Sequence, residues 1–280
     1  MSAKYAIIRA AFELLALSQA PALIRKFSRS RGVIFTLHRV LPDKPPAFSP
    51  NAILQVTPDF LDYTIKRVRE LGFDVVTMDE AIERIEAPEK GRPFVVFTFD
   101  DAYRDNLQFG LDVMRANAAP FTLFVATAFI DGVGEVWWQA IEDIIAGREA
   151  IAIPGAGGND YLPTATLAEK QATYDTLYAK MRKMPEAERV ALMRGLGEAY
   201  GLDLDEHCRR LIMNWDELQT FVAEPLCTIG AHTVHHYELA KLSAGDMRSE
   251  MEGSLRVLSE RLGVTPSHFS YPIGGKASAG

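Results

Sequence analysis

The feature that most constrains the fold is a repeated alternation of short apolar runs and amphipathic helical patterns from residue 32 onwards. The strand-like runs cover residues 32–38, 73–77, 94–99, 121–127, 226–232 and 268–272, and helical patterns cover 57–72, 79–85, 103–117 and 243–263. Repeated βα units of this kind favour an α/β fold with a parallel sheet. The sequence therefore predicts six parallel strands, with Thr57 and Asp79 as the N-caps of the first two helices.

Segment 131–225 interrupts this alternation. Residues 154–160, "PGAGGND", have the composition of a loop, and helical spacing of apolar residues follows them. The sequence predicts a mostly helical insertion here. Its adjacent tryptophans, Trp137 and Trp138, have two interpretations: their flat faces suit the pyranose rings of a sugar groove, or they fill a core, which is the commoner use of such residues.

Composition sets limits on the class of protein. With 280 residues, 48% of them hydrophobic, the chain can bury the core of one large α/β domain or two smaller ones. A net charge of −7 argues against a surface that binds polyanions, so we predict no nucleic-acid partner. Cys208 and Cys227 lack CxxC spacing, so no disulfide framework or cysteine-rich metal site is predicted, and a reducing compartment is permitted.

The N-terminal segment, residues 1–31, is predicted to be a separate unit that precedes the domain at 32–280. Residues 6–23 resemble the apolar part of a signal peptide, but Arg9 and Glu13 interrupt them and leave no clear signal peptide. The helical spacing favours an amphipathic helix packed on the domain and followed by a basic turn. The alternative is peripheral contact with an anionic membrane, at its inner face for the cytoplasmic location that we predict.

Polar residues stand where the predicted strands end. They are His38 at the end of the first strand, Asp100 and Asp101 after the strand at 94–99, His232 and His236 after the strand at 226–232, and Tyr271 and Pro272 at the end of the last. Parallel α/β barrels build their active sites at the C-terminal ends of their strands. Two adjacent aspartates repel each other, and we predict that a cation neutralises them and that the two histidines help to hold it.

The chemistry of these residue types supports a metal site. Two imidazoles four residues apart can converge on one ion, and one carboxylate completes a facial triad that leaves positions open. The second carboxylate can then take a proton from bound water, whose pKa zinc lowers to about 7. Neither pattern is specific alone, but their shared placement predicts one divalent ion. Zinc is the expected metal, with cobalt and nickel as alternatives.

Three ordered motifs carry a resemblance to a known family. "TFDD" (98–101), "HTVHH" (232–236) and "FSYPIG" (269–274) resemble the first three motifs of the polysaccharide deacetylase family, also called the NodB-homology group or carbohydrate esterase family 4. "TLHRV" (36–40) is similar to that family's opening strand. The resemblance implies a distorted (β/α) barrel of the NodB-homology type. It also implies metal-dependent removal of N-acetyl groups from amino-sugar oligo- or polysaccharides such as chitooligosaccharides.

The resemblance assigns the polar residues to roles. Asp101, His232 and His236 would bind the metal, and Asp100 would act as the general base. Thr233 would brace the histidine loop through its hydroxyl group.

The last motif and the first strand supply the supporting residues that the resemblance implies. The backbone N–H of Tyr271, which precedes Pro272, would stabilise the tetrahedral oxyanion. His38 is expected to be a neighbour of the site rather than a ligand. His235 receives no role and is expected to be exposed to solvent.

One departure from the family pattern qualifies the activity. The chain reaches "YPIGGKASAG" without the family's arginine-bearing motif or its Leu-x-His motif, which supplies the general acid. We therefore expect a truncated or fragmentary chain with an open barrel side, in which metal binding survives and amide hydrolysis is attenuated. A non-catalytic protein that binds carbohydrate or metal is the alternative. A metal-dependent phosphoesterase ranks last, because the extra ligands of a two-metal site are missing.

Overall fold

The computed structural model of the protein describes residue 10 and residues 31–87, 91–153 and 161–279. Its strands are β1 (Gly32–Leu37), β2 (Arg39–Val40), β3 (Gln55–Val56), β4 (Asp74–Val75), β5 (Phe94–Phe99), β6 (Phe121–Val125), β7 (Ala150–Ala152), β8 (Tyr161–Pro163) and β9 (Cys227–Ala231). The central sheet has the order β1-β5-β6-β9, and β4 pairs with the start of β5. All pairings in this sheet are parallel, which confirms the predicted α/β class.

Helices surround the sheet. They are α1 (Pro58–Glu70), α2 (Met78–Glu86), α3 (Leu111–Ala116), α4 (Thr127–Ile130), α5 (Trp137–Ala146), α6 (Leu167–Met181), α7 (Glu186–Tyr200), α8 (Leu204–Leu211), α9 (Trp215–Val222), α10 (Ala244–Leu262) and α11 (Lys276–Ala279). Short 3₁₀ turns lie at Pro50–Leu54 and Leu239–Lys241, and a π-helical turn covers Asn106–Gly110. None of the described helices is long and apolar enough to cross a membrane.

The register of the sheet brings the strand ends level. β1 pairs with β5 along its whole length, from Gly32 opposite Phe94 to Leu37 opposite Phe99. At the other side, Val125 of β6 lies opposite Ala231 of β9. The residues that follow these strands therefore share one edge of the sheet. Within the described part of the chain, the strand pairings run from β1 to β9 and do not return to close a barrel.

Burial explains the sequence pattern of the central strand. All six residues of β5 are buried, because apolar side chains pack on both of its faces, and the strand is accordingly an unbroken apolar run apart from Thr98. Helix α1 begins as predicted, with the Thr57 hydroxyl accepting a hydrogen bond from the Phe60 N–H at 3.2 Å. Helix α2 begins one residue earlier than predicted, because Thr77 rather than Asp79 is its N-cap.

The last predicted strand, 268–272, is wrong in its extent. Only Phe269 forms an isolated parallel bridge, to Ala231 at the end of β9. The Ala231 N–H donates to the His268 carbonyl oxygen at 2.9 Å, and the Ser270 N–H donates to the Ala231 carbonyl oxygen at 3.0 Å. Pro272 has no N–H to continue this ladder, and Ile273 has a φ of +68°, which turns the chain away. The segment nevertheless lies against β9.

Segment 131–225 consists mainly of helices α5 to α9 with the β7–β8 hairpin between α5 and α6. Its apolar residues join the same hydrophobic core as the sheet. Trp137 and Trp138 are only 2% and 5% exposed, so they pack in this core and do not line an open groove. The predicted division at residue 31 stays a prediction, as does the amphipathic N-terminal helix with its basic turn, because residues 1–9 and 11–30 lie outside the described residues.

Candidate metal centre

Three buried side chains with metal-ligating atoms converge at the C-terminal edge of the sheet. Asp101 follows β5, and His232 and His236 follow β9. Their candidate ligand atoms all lie within 4.8 Å of one another. Asp101 Oδ1 is 3.5 Å from His232 Nε2 and 3.3 Å from His236 Nε2. Zinc bonds of about 2.0–2.1 Å in tetrahedral geometry place ligand atoms roughly 3.3–3.4 Å apart, so the two spacings suit such an ion.

The electrostatics of the three residues also fit a cation. Asp101 Oδ1 is buried and has no hydrogen-bond partner among the described residues, which is unfavourable for a carboxylate oxygen unless a cation binds it. Burial, and then the charge of Asp100, raise the pKa of Asp101 well above its usual range. Burial lowers the pKa of His232 to about 4 and that of His236 well below its usual value. Both imidazoles are therefore neutral at pH 7, as metal ligation requires.

A backbone carbonyl fixes the orientation of His232. Its Nδ1 donates to the Ser270 carbonyl oxygen at 2.7 Å, and this tautomer leaves the Nε2 lone pair facing Asp101. The Ser270 hydroxyl donates to Asp100 Oδ2 at 3.3 Å. Ser270 thus contacts both a predicted ligand and the predicted base. The sequence patterns did not single out Ser270 as a site residue, although it lies within the "FSYPIG" motif.

Packing holds the other imidazole. The ring of His236 stacks on Phe129, with centroids 5.5 Å apart, and lies 5.0 Å from the ring of Trp138. Trp138 is itself fixed by a hydrogen bond from its Nε1 to the Tyr103 hydroxyl at 2.9 Å. The Thr233 hydroxyl accepts a hydrogen bond from the His236 N–H at 2.9 Å, which is the contact that its predicted bracing role requires.

Unusual backbone conformations cluster around these residues. Of the six described non-glycine residues with positive φ, five lie here: Asp101, Ala102, Thr233, His236 and Ile273, with φ values from +57° to +70°. Such a conformation costs about 1–3 kcal/mol per residue, with the β-branched Thr233 among the less tolerant types. Strain of this kind persists only where surrounding contacts impose it, and it concentrates at functional sites.

Glu250 of helix α10 is a second supporting residue that the sequence patterns did not reveal. Its carboxylate accepts hydrogen bonds from the Val234 N–H at 3.0 Å and the His235 N–H at 2.8 Å. It also binds His235 Nδ1 at 2.6 Å. His235, predicted to be solvent-exposed and without a role, has a side chain that is 48% exposed and helps to anchor the loop. Nothing in the helical pattern around Glu250 distinguishes it from an ordinary surface glutamate.

Asp100 lies beside the three ligands. Its Oδ2 is 4.0 Å from His232 Nε2, and in the described part of the chain no group forms a hydrogen bond with its buried Oδ1. Burial raises the pKa of Asp100 to about 6, against the opposing effects of His38 and the Ser270 hydroxyl. The carboxylate is therefore ionised just above pH 6 and is basic enough to take a proton near neutral pH.

The remaining predicted residues surround this group. His38 follows β1 and interacts electrostatically with Asp100, and burial lowers its pKa. Asn106 Nδ2 donates to the His38 carbonyl oxygen at 2.8 Å. Tyr271 is 44% exposed and packs edge-on against Phe269, whereas Pro272 is buried.

Comparison with known proteins places this geometry in context. Residues 197–279, which include the histidine motif and "FSYPIG" but not "TFDD", match the family model described as polysaccharide deacetylase. No curated protein matches the chain with significant similarity.

Solved structures are similar in fold. The deacetylase PplD of Streptococcus pyogenes, in a complex with acetate, is 16% identical with a TM-score of 0.52, over 88% of this chain and 76% of that one. IcaB of Ammonifex degensii is 18% identical with a TM-score of 0.51, over 89% and 78% of the two chains. A de-N-acetylase of Aggregatibacter actinomycetemcomitans is 14% identical with a TM-score of 0.50, over 87% and 80%. The match over residues 197–279 thus confirms the resemblance of this chain to the polysaccharide deacetylase family.

Proposed function

We propose that the protein is a metal-dependent deacetylase that hydrolyses N-acetyl groups on an amino-sugar oligo- or polysaccharide of the chitooligosaccharide type. The observation that carries this proposal is the convergence of Asp101, His232 and His236. A second carboxylate, that of Asp100, lies beside them and outside the ligand group. The family match and the names of the structural neighbours support the same reaction class.

The proposed roles follow from the contacts of each side chain. A divalent ion on the three ligands, zinc in the first place, would polarise the acetyl carbonyl group and lower the pKa of bound water. Asp100 accepts the proton of the attacking water through Oδ1, to which no described residue donates, while the Ser270 hydroxyl donates to Oδ2. The Tyr271 N–H, one residue beyond the carbonyl that orients His232, donates to the developing oxyanion.

The test is acetate release from N-acetylglucosamine oligomers by protein loaded with zinc, compared with the same protein stripped by a chelator. We expect activity only with metal. Oligomer binding without acetate release would favour the non-catalytic alternative. Hydrolysis of an aryl phosphate instead would favour a phosphoesterase, which the site disfavours because the nearby Arg39 and Arg189 are already paired with carboxylates.

Metal binding is expected to release protons and to tighten as pH rises. Asp101 has a raised pKa and must lose any proton it carries before it ligates, whereas His232, with a pKa of about 4, does not compete for protons above pH 5. Calorimetric titrations with zinc in two buffers of different ionisation enthalpy measure the protons released. Binding that depends on neither buffer nor pH between about 5 and 8 would contradict this assignment.

His38 is proposed to supply the proton that the departing amine needs. It is a buried imidazole that interacts electrostatically with Asp100; burial lowers its pKa, and the negative charge of Asp100 acts in the opposite direction. His38→Ala should slow acetamide hydrolysis by about 10²-fold or more, because an amine is a poor leaving group until it is protonated. Hydrolysis of an activated acetyl ester, whose leaving group needs little protonation, should change far less. Equal losses for both substrates would show that His38 only supports the structure.

A further inference from the structure

Hydrogen bonds join the loop that carries His232 and His236 to the helical segment 131–225. The N–H of Glu238, two residues after His236, donates to Glu186 Oε1 at 3.2 Å, and Glu186 is the first residue of helix α7. The carboxylate of Glu238 accepts two hydrogen bonds from the Arg182 guanidinium, at 2.9 and 3.1 Å. The histidine loop and the start of α7 therefore form one bonded unit.

Arg189 is the buried centre of this unit. Its side chain is 3% exposed, and its Nε donates to Glu186 Oε2 at 2.7 Å. A second, longer bond of 3.4 Å joins it to Glu135. The guanidinium also lies over two aromatic rings, 5.7 Å from the centroid of Trp137 and 5.6 Å from that of Tyr237. Carboxylates and ring faces together compensate for the burial of its charge.

Trp137 and Tyr237 are linked to His236 in different ways. The ring of Tyr237 stacks on that of His235, with centroids 5.1 Å apart. Tyr237 follows His236 in the chain. Trp137 precedes Trp138, whose ring centroid is 5.0 Å from that of His236. Arg189 thus contacts the residue that follows His236 in the chain and the residue that precedes the tryptophan packed against its ring.

The imidazole of His236 depends on these neighbours more than that of His232 does. The Nδ1 atom of His232 binds the Ser270 carbonyl oxygen, but the buried Nδ1 atom of His236 has no hydrogen-bond partner among the described residues. Most metal-bound histidines are oriented by a hydrogen bond at the second ring nitrogen. For His236, packing against Phe129 and Trp138 takes the place of that hydrogen bond.

We propose that Arg189 is a positioning residue for the metal centre, because it clamps Trp137 and Tyr237 and thereby fixes the ring of His236. The inference rests on the proposed metal site. It means that the helical segment contributes to metal affinity, which the two sequence motifs that supply the ligands do not reveal.

The test is zinc affinity, measured by competition with a chromophoric chelator, for the wild type, Arg189→Met and Arg189→Lys. Arg189→Met should bind zinc about 10–100-fold more weakly, the range found when the supporting partners of metal ligands are lost. Arg189→Lys keeps the charge but loses the flat face that covers both rings, and it should still bind zinc about fivefold more weakly or worse. If Arg189→Met does not fold, the zinc affinity of Arg189→Lys tests the proposal by itself. Unchanged zinc affinity in the variants that fold would overturn the proposal.

A matched control separates positioning from stability. Leu196→Ala removes a fully buried side chain from the same helix and should lower the melting temperature, yet its zinc affinity should stay within about twofold of the wild type. An equal loss of affinity in Leu196→Ala would mean that Arg189 is merely structural and would overturn the inference. A wild-type protein that binds no zinc would instead overturn the proposed metal site, and this outcome is seen before any variant is compared.

Discussion

Replacing Asp100 by asparagine is expected to lower the rate of acetamide hydrolysis by about 10²–10⁴-fold while zinc stays bound. Asparagine has nearly the same shape as aspartate but cannot accept the proton of the attacking water. The three ligand side chains are untouched, and Asp100 Oδ2 lies 4.0 Å from His232 Nε2, outside the ligand group. Rates with N-acetylglucosamine oligomers and zinc content by elemental analysis are the two measurements.

The same substitution is expected to lower the rate of hydrolysis without lowering the stability of the metal-free protein at pH 7. The pKa of Asp100 is raised to about 6 in the folded protein, so its contribution to stability is present below about pH 4 and is lost as pH rises through 6. At pH 7 the metal-free Asp100→Asn protein should therefore be at least as stable as the metal-free wild type. An inactive variant that is also strongly destabilised would point to misfolding rather than to a missing base.

Asp112→Asn is the matched control. The side chain of Asp112 is 85% exposed, and its one polar contact with the residues that the structure describes is with Arg115 at 4.0 Å. Its replacement should change neither rate nor zinc content. If Asp100→Asn keeps more than about a tenth of the wild-type rate, Asp100 is not the base.

The edge of the sheet at which the site lies could be predicted from the sequence, because strand ends in a parallel sheet are set by local patterns. The run Phe94–Phe99 and the following aspartates fix one position, and the run before His232 fixes another. The register then brings them to one edge, because the end of β5 pairs with β6 at Leu123, and β6 pairs with β9 up to Ala231, the residue before His232. These links need only apolar periodicity and the geometry of βα units.

The supporting residues could not be predicted in this way. Ser270 reaches Asp100 across 170 positions of the chain, and Arg189 reaches Glu135 across 54. Glu250 acts on two backbone N–H groups of a loop, which no side-chain pattern encodes. Such contacts depend on how separate elements pack, and a serine or glutamate in the sequence has the same local signal whether or not it makes them.

Loss of a ligand should have an equally large effect on the metal itself. His232→Ala removes one of three protein ligands and leaves Asp101 and His236, which cannot hold a divalent ion through dialysis. We expect zinc in the dialysed variant to fall from about one equivalent to background. The variant should also lose the stabilisation that zinc gives the wild type, about 4 kcal/mol when free zinc is 1,000 times the dissociation constant.

His207→Ala is the control that distinguishes the loss of a metal ligand from a general loss of folding. His207 is also a fully buried histidine, but it binds Asp143 at 3.1 Å in the helical segment and belongs to no ligand group among the described residues. Its loss should lower the melting temperature of the metal-free protein and leave one equivalent of zinc bound. If His232→Ala keeps full zinc occupancy after dialysis, the ion is held elsewhere and the proposed centre is wrong. If both variants lose zinc, metal binding reports on folding in general rather than on His232. Only loss in His232→Ala together with retention in His207→Ala assigns the ion to this edge of the sheet, where Asp100 can act on its water.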